Sequence, residues 1–319
     1  METDRPSKKS HICSGICFLG GKKDNFYLAV LEYFPDQSRW FLKEVKVASD
    51  LKVHPKEDLL LSHILENKLE SLVVDFPLSK PACLTCELDC PGIALCPHPE
   101  VKDSRNLIAQ LSVQDFNVRS GKKYENDRVG EKDKLNEKSA WEYQQSKSFK
   151  RRLKKGFNPY WNRPIDVLVW CHYYDLLLNI FNYSYDSFGN VSLKLMNQFH
   201  YLSKHFPKSL EIFESNSFII LIELYRYNII SAKTIKDLNF MDTAPKARMT
   251  IINAIEKAFQ LFVYEKDIEL LVRRPKAFES FLLALVSLKK FENKTFNLAQ
   301  DFSLDVDKFI VPDFSGSSV

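Results

Sequence analysis

The sequence predicts a chain that mixes helices and strands in an α/β or α+β fold, and three observations carry that reading. The N-terminal part alternates aromatic and β-branched residues with a period of two. A helical run and a short apolar strand follow it. The C-terminal half then repeats apolar residues at helical spacing.

Taken in order, His11 to Leu19 is a first strand, closed by Gly20-Gly21 and the polar turn Lys22 to Asn25. Phe26 to Phe34 and Trp40 to Val47 are two more, joined through Pro35-Asp36, and connections this short make an antiparallel meander. Lys56 to Glu70 carries leucine and isoleucine at helical spacing with acidic residues near its start. Ser71 to Asp75 (SLVVD) is a buried strand that stops at Phe76-Pro77. Helices are expected over Pro164 to Asn182, Leu193 to His205, Phe218 to Tyr227, Pro245 to Tyr264 and Pro275 to Glu292, with one further strand at Ser209 to Glu214. Between Val118 and Lys155 stand thirteen Lys/Arg and six Asp/Glu with few apolar residues, which reads as a solvated helix or a mobile insertion. The expected organisation is therefore an N-terminal part (1–117), a basic insertion (118–157) and a C-terminal part of the same domain (158–319).

Composition excludes several classes. With 319 residues, 45% apolar and 27% charged, the chain is neither disordered nor fibrous, and a net charge of +4 suits nucleic acid without demanding it. The most apolar window, Phe218 to Ile230, is shorter than the ~20 residues a bilayer needs and contains Glu223 and Arg226. No signal-peptide pattern opens the chain, so a soluble, cytoplasmic protein without a membrane partner is expected.

Four of the seven cysteines, Cys83, Cys86, Cys90 and Cys96, form a C-x2-C-x3-C-x5-C cluster with turns at Pro91-Gly92 and Pro97. Four soft thiolates select Zn²⁺ or an iron–sulfur cluster over hard cations, and a four-sulfur site leaves no position open to substrate. The cluster reads as a structural zinc clip, with an iron–sulfur cluster as the alternative and His98 as a solvated neighbour. Cys171 and His172, adjacent on a helix, read as core residues, as do Cys13 and Cys17.

Asp75 ends a buried strand, where an ionised carboxylate needs a partner and a metal ion is one. The motif Gly15-Ile16-Cys17-Phe18-Leu19-Gly20-Gly21 resembles the first strand of the predicted nucleases with an RNase H-like fold (domain of unknown function family 429). Asp75-Phe76-Pro77-Leu78 is similar to that family's Asp-x-Pro-Leu strand end, and Phe157-Asn158-Pro159-Tyr160 with Arg163 to its Pro-Tyr-x-x-Arg segment. Glu211 to Ser217 resembles its late strand, and Ala277-Phe278-Glu279-Ser280 through Ala284-Leu285 its final Phe-Asp-Ala helix. The resemblance spans most of the chain in the right order. It implies an α/β fold with an RNase H-like mixed sheet flanked by helices, a cysteine-rich loop and a helical C-terminal half. It also implies carboxylates at Asp75, Glu214 and Glu279 that hold Mg²⁺ or Mn²⁺ for phosphodiester hydrolysis of nucleic acid.

The sequence departs from that pattern at three places: Cys17 stands where the first-strand acid is expected, Ser217 replaces a proline, and Glu279 replaces an aspartate. A thiol is a poor ligand for a hard ion. The expected activity is thus a nuclease, in degenerate form if Cys17 disables it; the alternative is a non-catalytic module of the same fold that binds nucleic acid or protein. Substrate-binding candidates are Lys150, Arg151 and Arg152 for a nucleic-acid backbone, Tyr160 for stacking, and Arg163 either for a phosphate or as a brace to Asp166 or Glu214.

Overall fold

The structure, a computed structural model, describes residues 10–19, 25–48, 56–109, 159–160, 162–181, 193–296, 298 and 308–316. The predicted insertion 118–157 and both of its boundaries lie outside these residues. Packing divides the chain into two compact units, one of Met1–Phe76, Ser192–Phe296 and Ile310–Val319, the other of Pro77–Val191 and Asn297–Phe309. Among the described residues no helix is long and apolar enough to cross a membrane.

The first unit is built on a six-stranded mixed sheet flanked by helices. Its strands are β1 (His11–Leu19), β2 (Asn25–Phe34), β3 (Arg39–Val47), β4 (Ser71–Val74), β5 (Glu211–Glu214) and β6 (Leu261–Phe262), in the spatial order β5-β4-β1-β2-β3-β6. Neighbours β1/β2 and β2/β3 are antiparallel, as the short turns between them require, whereas β1/β4, β4/β5 and β3/β6 are parallel. Strand β1 is buried from Cys13 to Phe18 because both of its faces are covered, so it reads as one continuous small and apolar run. Outer β3 instead alternates, burying Trp40, Leu42 and Val47.

The chain-order helices are α1 (Lys56–Glu66), α2 (99–109), α3 (Pro164–Phe181), α4 (Leu193–Ser203), α5 (Ser217–Arg226), α6 (Ala232–Asp237), α7 (Ala244–Phe259), α8 (Glu265–Arg273) and α9 (Pro275–Phe291). Helix α1 stops four residues before its predicted end because Lys68 takes a left-handed φ of 50° and Leu69 N–H closes onto Ile64 O at 3.1 Å. The single helix expected over Pro245 to Tyr264 breaks at Gln260, whose φ of 50° sends the chain into β6.

Helix α9 covers the carboxyl edge of the sheet. Proline at its first position presets the helical φ, and almost every residue from Ala277 to Lys289 is buried. It lies so close to β1 that a Cβ on Gly15 would come within 2.2 Å of Ala284 N, 2.4 Å of Ser280 O and 2.6 Å of the Leu283 carbonyl carbon. Hydroxyls fill the seam: Ser14 N–H donates to Ser287 Oγ at 3.2 Å, and Ser287 Oγ is hydrogen-bonded to Ser71 Oγ. On the other face Phe18, Phe76 and Phe199 pack edge to face, with centroids 4.8–5.7 Å apart. The strand-end carboxylate is therefore held between an aromatic cluster below and a helix above.

Candidate functional site

Three side chains capable of holding a cation converge at the carboxyl edge of this sheet. Cys17 lies near the end of β1, Asp75 is the first residue beyond β4, and Glu279 lies in the first turns of α9; their Sγ and carboxylate oxygens are all within 4.8 Å of one another. The convergence follows from register. Gly15 and Ile16 pair with Val73 and Val74, so Cys17 and Asp75 continue the parallel ladder side by side and point to the α9 face. The close approach at Gly15 then brings the start of α9 down onto them.

A fourth group, not singled out in the sequence, completes the site. Lys276 precedes Glu279 by one helical turn; its ammonium lies 2.6 Å from Glu279 Oε2 and 3.9 Å from Asp75 Oδ2. Burial pulls the Lys276 ammonium down, but Glu279, Cys17 and Asp75 outweigh that and hold it protonated well above its ordinary range. Burial pushes the Asp75 carboxyl up to about 6, against the opposing pull of Lys276 and of the Cys17 thiol that donates to it. The distances reconcile the two shifts: Lys276 is chiefly the partner of Glu279, which leaves Asp75 under-compensated. Burial, followed by the charges of Asp75 and Glu279, raises the Cys17 thiol far above its usual value, so near neutral pH it is a neutral S–H. Arg274, exposed at the N-terminus of α9, donates to the Tyr27 hydroxyl at 3.4 Å, and Tyr27 is the β2 partner of Cys17. A second cationic group thereby stands at the rim.

Glu214 does not join this group. It pairs with Val74, and Val74 pairs with Ile16, which places it one position out of step with Asp75 and Cys17. Alternation turns it to the opposite face of the sheet, where it is buried. The backbone of the C-terminal segment covers that edge: Ile310 N–H donates to Glu214 O and Ser215 Oγ–H to Ile310 O, both at 2.9 Å.

In the second unit Arg163 is a brace. Its Nη2–H donates to Asp166 Oδ1 at 2.7 Å and its Nε–H to Asp166 Oδ2 at 3.1 Å, and both side chains are buried. Asp166 also accepts the Arg163 backbone N–H at 2.8 Å, which satisfies a donor at the start of α3. A guanidinium held in this way is committed to structure. Tyr160 is 52% exposed and follows Pro159, whose carbonyl accepts the Cys83 N–H at 3.1 Å. Lys150, Arg151 and Arg152 lie outside the described residues, as does the Cys171 side chain; His172 is half-buried with its ring 4.8 Å from that of Tyr173. Cys83, Cys86, Cys90 and Cys96 carry free thiols and are not among the groups that converge within 4.8 Å.

No protein-family model, curated protein or solved structure matches the chain.

Proposed function

We propose that the chain is a nuclease of the RNase H-like kind, hydrolysing phosphodiesters of nucleic acid slowly, with Asp75 and Glu279 as its functional carboxylates. The observation that carries this reading is their meeting within 4.8 Å at the carboxyl ends of parallel β1 and β4, beneath the start of the last long helix. The strand order, with an antiparallel meander on one side of β1 and parallel β4 and β5 on the other, supports the RNase H-like identity.

The donors fit one hard divalent cation, Mg²⁺ or Mn²⁺, and not a pair. Two carboxylates supply oxygen, but the Cys17 thiol adds neither charge nor hard oxygen between two ions, and Glu214 faces away. A cation bound to Asp75 and Glu279 would supply Lewis acidity toward a phosphoryl oxygen. The chain's own part is to bring the Asp75 and Glu279 carboxylates together under α9, with Asp75 ionised above about pH 6. Lys276 and Arg274 set positive charge where a phosphate approaches.

One observation favours a second reading. Lys276 already neutralises Glu279 at 2.6 Å, the role an ion would take, so the same site can serve a binding module that does not cut. Cleavage of end-labelled single- and double-stranded DNA and RNA in Mn²⁺ separates the two. Slow cleavage by wild type, lost in Asp75→Asn and Glu279→Gln and raised roughly tenfold or more in Cys17→Asp, supports the nuclease; a metal's supporting partners are commonly worth about 10–100-fold. Cleavage unaffected by Asp75→Asn overturns it. Tight retention of nucleic acid by wild type and Cys17→Asp without cleavage by either selects the binding module.

A further inference from the structure

The loop that leads away from Asp75 into the second unit has little to hold it by packing. Leu84, Leu88, Ile93 and Leu95 are 41–75% exposed, and of the four cysteines Cys96 alone is buried. A segment with its apolar side chains outward cannot be ordered by a core of its own, and small loops of this kind are held by cross-links or metal. Its backbone is nevertheless fixed at several points. A short 3₁₀ turn, Ala82–Leu84, carries Cys83, whose N–H is tied to Pro159 O. Gly92, at a φ of 88° that favours glycine, turns the chain so that Leu95 N–H closes onto Gly92 O at 3.1 Å. The Arg105 guanidinium, from α2, donates to Ile93 O at 3.0 Å, to Cys96 O at 2.9 Å and to Ala94 O between them.

The four sulfurs that this scaffold carries share one short loop, although no three of them come within 4.8 Å of one another. The thiol of Cys83 is raised by slight burial and then by Cys96, Cys90 and Cys86, so all three lie within electrostatic reach of it. Cys86 Sγ accepts the backbone N–H of Leu88, two residues on, at 3.5 Å. Two residues beyond Cys96, His98 Nδ1 is buried and has no hydrogen-bond partner.

From these observations we infer that the 83–96 loop is a second, independent metal centre, in which Cys83, Cys86, Cys90 and Cys96 bind one Zn²⁺ and clip the loop. Each thiol ligates as thiolate, so binding releases protons to solvent and no redox partner is needed. The sulfurs draw together on the metal to close the cage, and Cys90 is the most exposed of the four ligands. Arg105 positions Cys96 through the three carbonyls before it closes, and four sulfurs leave no site for substrate, so the centre is structural. This inference does not depend on the carboxylate site.

The test is the metal content of the full-length chain, purified without chelator, in wild type, Cys90→Ser, Cys96→Ser and Asp75→Asn. One zinc per chain is expected in wild type and in Asp75→Asn. A fall in retained zinc, with an unchanged circular-dichroism spectrum, is expected in Cys90→Ser, whose exposed position keeps folding out of the question. Co²⁺ exchanged into the wild type is expected to show the thiolate charge-transfer and tetrahedral d–d bands. Absence of zinc with failure to take up Co²⁺ overturns the inference, as do iron with acid-labile sulfide, or zinc that Cys90→Ser and Cys96→Ser both leave in place.

Discussion

Replacing Gly15 by alanine tests how the site is assembled. The added Cβ would meet three atoms of the α9 backbone at 2.2, 2.4 and 2.6 Å, whereas carbon contacts settle near ~3.5–4 Å. None of the three is the end of a side chain that can rotate away. Relief therefore requires α9 to move off β1 by roughly 1 Å. Overpacking of this kind costs about 1–3 kcal/mol and occasionally more, and a rigid helix backbone puts Gly15→Ala at the upper end. For a chain of this size that is a Tm loss of roughly 4–5 °C, with a lower urea midpoint and an unchanged m-value. Because the same displacement carries Glu279 and Lys276 away from Asp75, any Mn²⁺-dependent cleavage should fall by about 100-fold, as misplacements of ~1 Å do. Gly92→Ala is the control: a Cβ there meets nothing within 4 Å, so only its φ of 88° is strained, and a loss of about 1 kcal/mol is expected without effect on cleavage. A Gly15→Ala protein as stable as wild type would refute the close contact of α9 with β1.

Two further predictions concern charge. The Asp75 carboxyl rises from 3.8 unfolded to about 6 folded, so the folded chain holds the proton more tightly; this group's contribution is most favourable below about pH 4 and is lost as pH rises to about 6. The stability difference between wild type and Asp75→Asn, followed by urea denaturation from pH 4 to 7, should shift against wild type by roughly 1–3 kcal/mol; a flat or reversed difference would contradict the burial of Asp75. In the second unit, Arg163→Met leaves the Asp166 carboxylate buried without its cationic partner and should cost about 3–5 kcal/mol in thermal unfolding. A loss under about 1 kcal/mol would return Arg163 to the pool of phosphate-binding candidates.

Much of the sheet was legible because its signals are local. Strand β1 runs over His11–Leu19 as the period-two pattern and the Gly-Gly turn indicate, and β2 and β3 begin one residue earlier than expected. Asp75 and Glu279 meet, one at a strand end and one on a helix face. Glu214 shows the limit of such reasoning: register decides which face a residue takes, a shift of one position reverses it, and pairing with a strand some 140 residues away leaves no local trace. Lys276 gives no signal in the sequence for the opposite reason. At i,i+3 from Glu279 it looks like an ordinary surface pair, and only the docking of α9 on Gly15 turns that pair toward Asp75. Helix α8 and strand β6 were hidden because nothing in Pro245 to Tyr264 announces the left-handed turn at Gln260.

Titration of Mn²⁺ by electron paramagnetic resonance, on wild type, Cys17→Asp and that variant combined in turn with Asp75→Asn, Glu279→Gln and Glu214→Gln, tests the site most directly. Cys17→Asp should bind Mn²⁺ at least about tenfold more tightly than wild type, since a neutral thiol gives way to a charged oxygen donor beside two others. Adding Asp75→Asn or Glu279→Gln should abolish that gain, and adding Glu214→Gln should leave it intact. Equal affinity of wild type and Cys17→Asp, or a gain that depends on Glu214 and not on Asp75 and Glu279, would contradict the account.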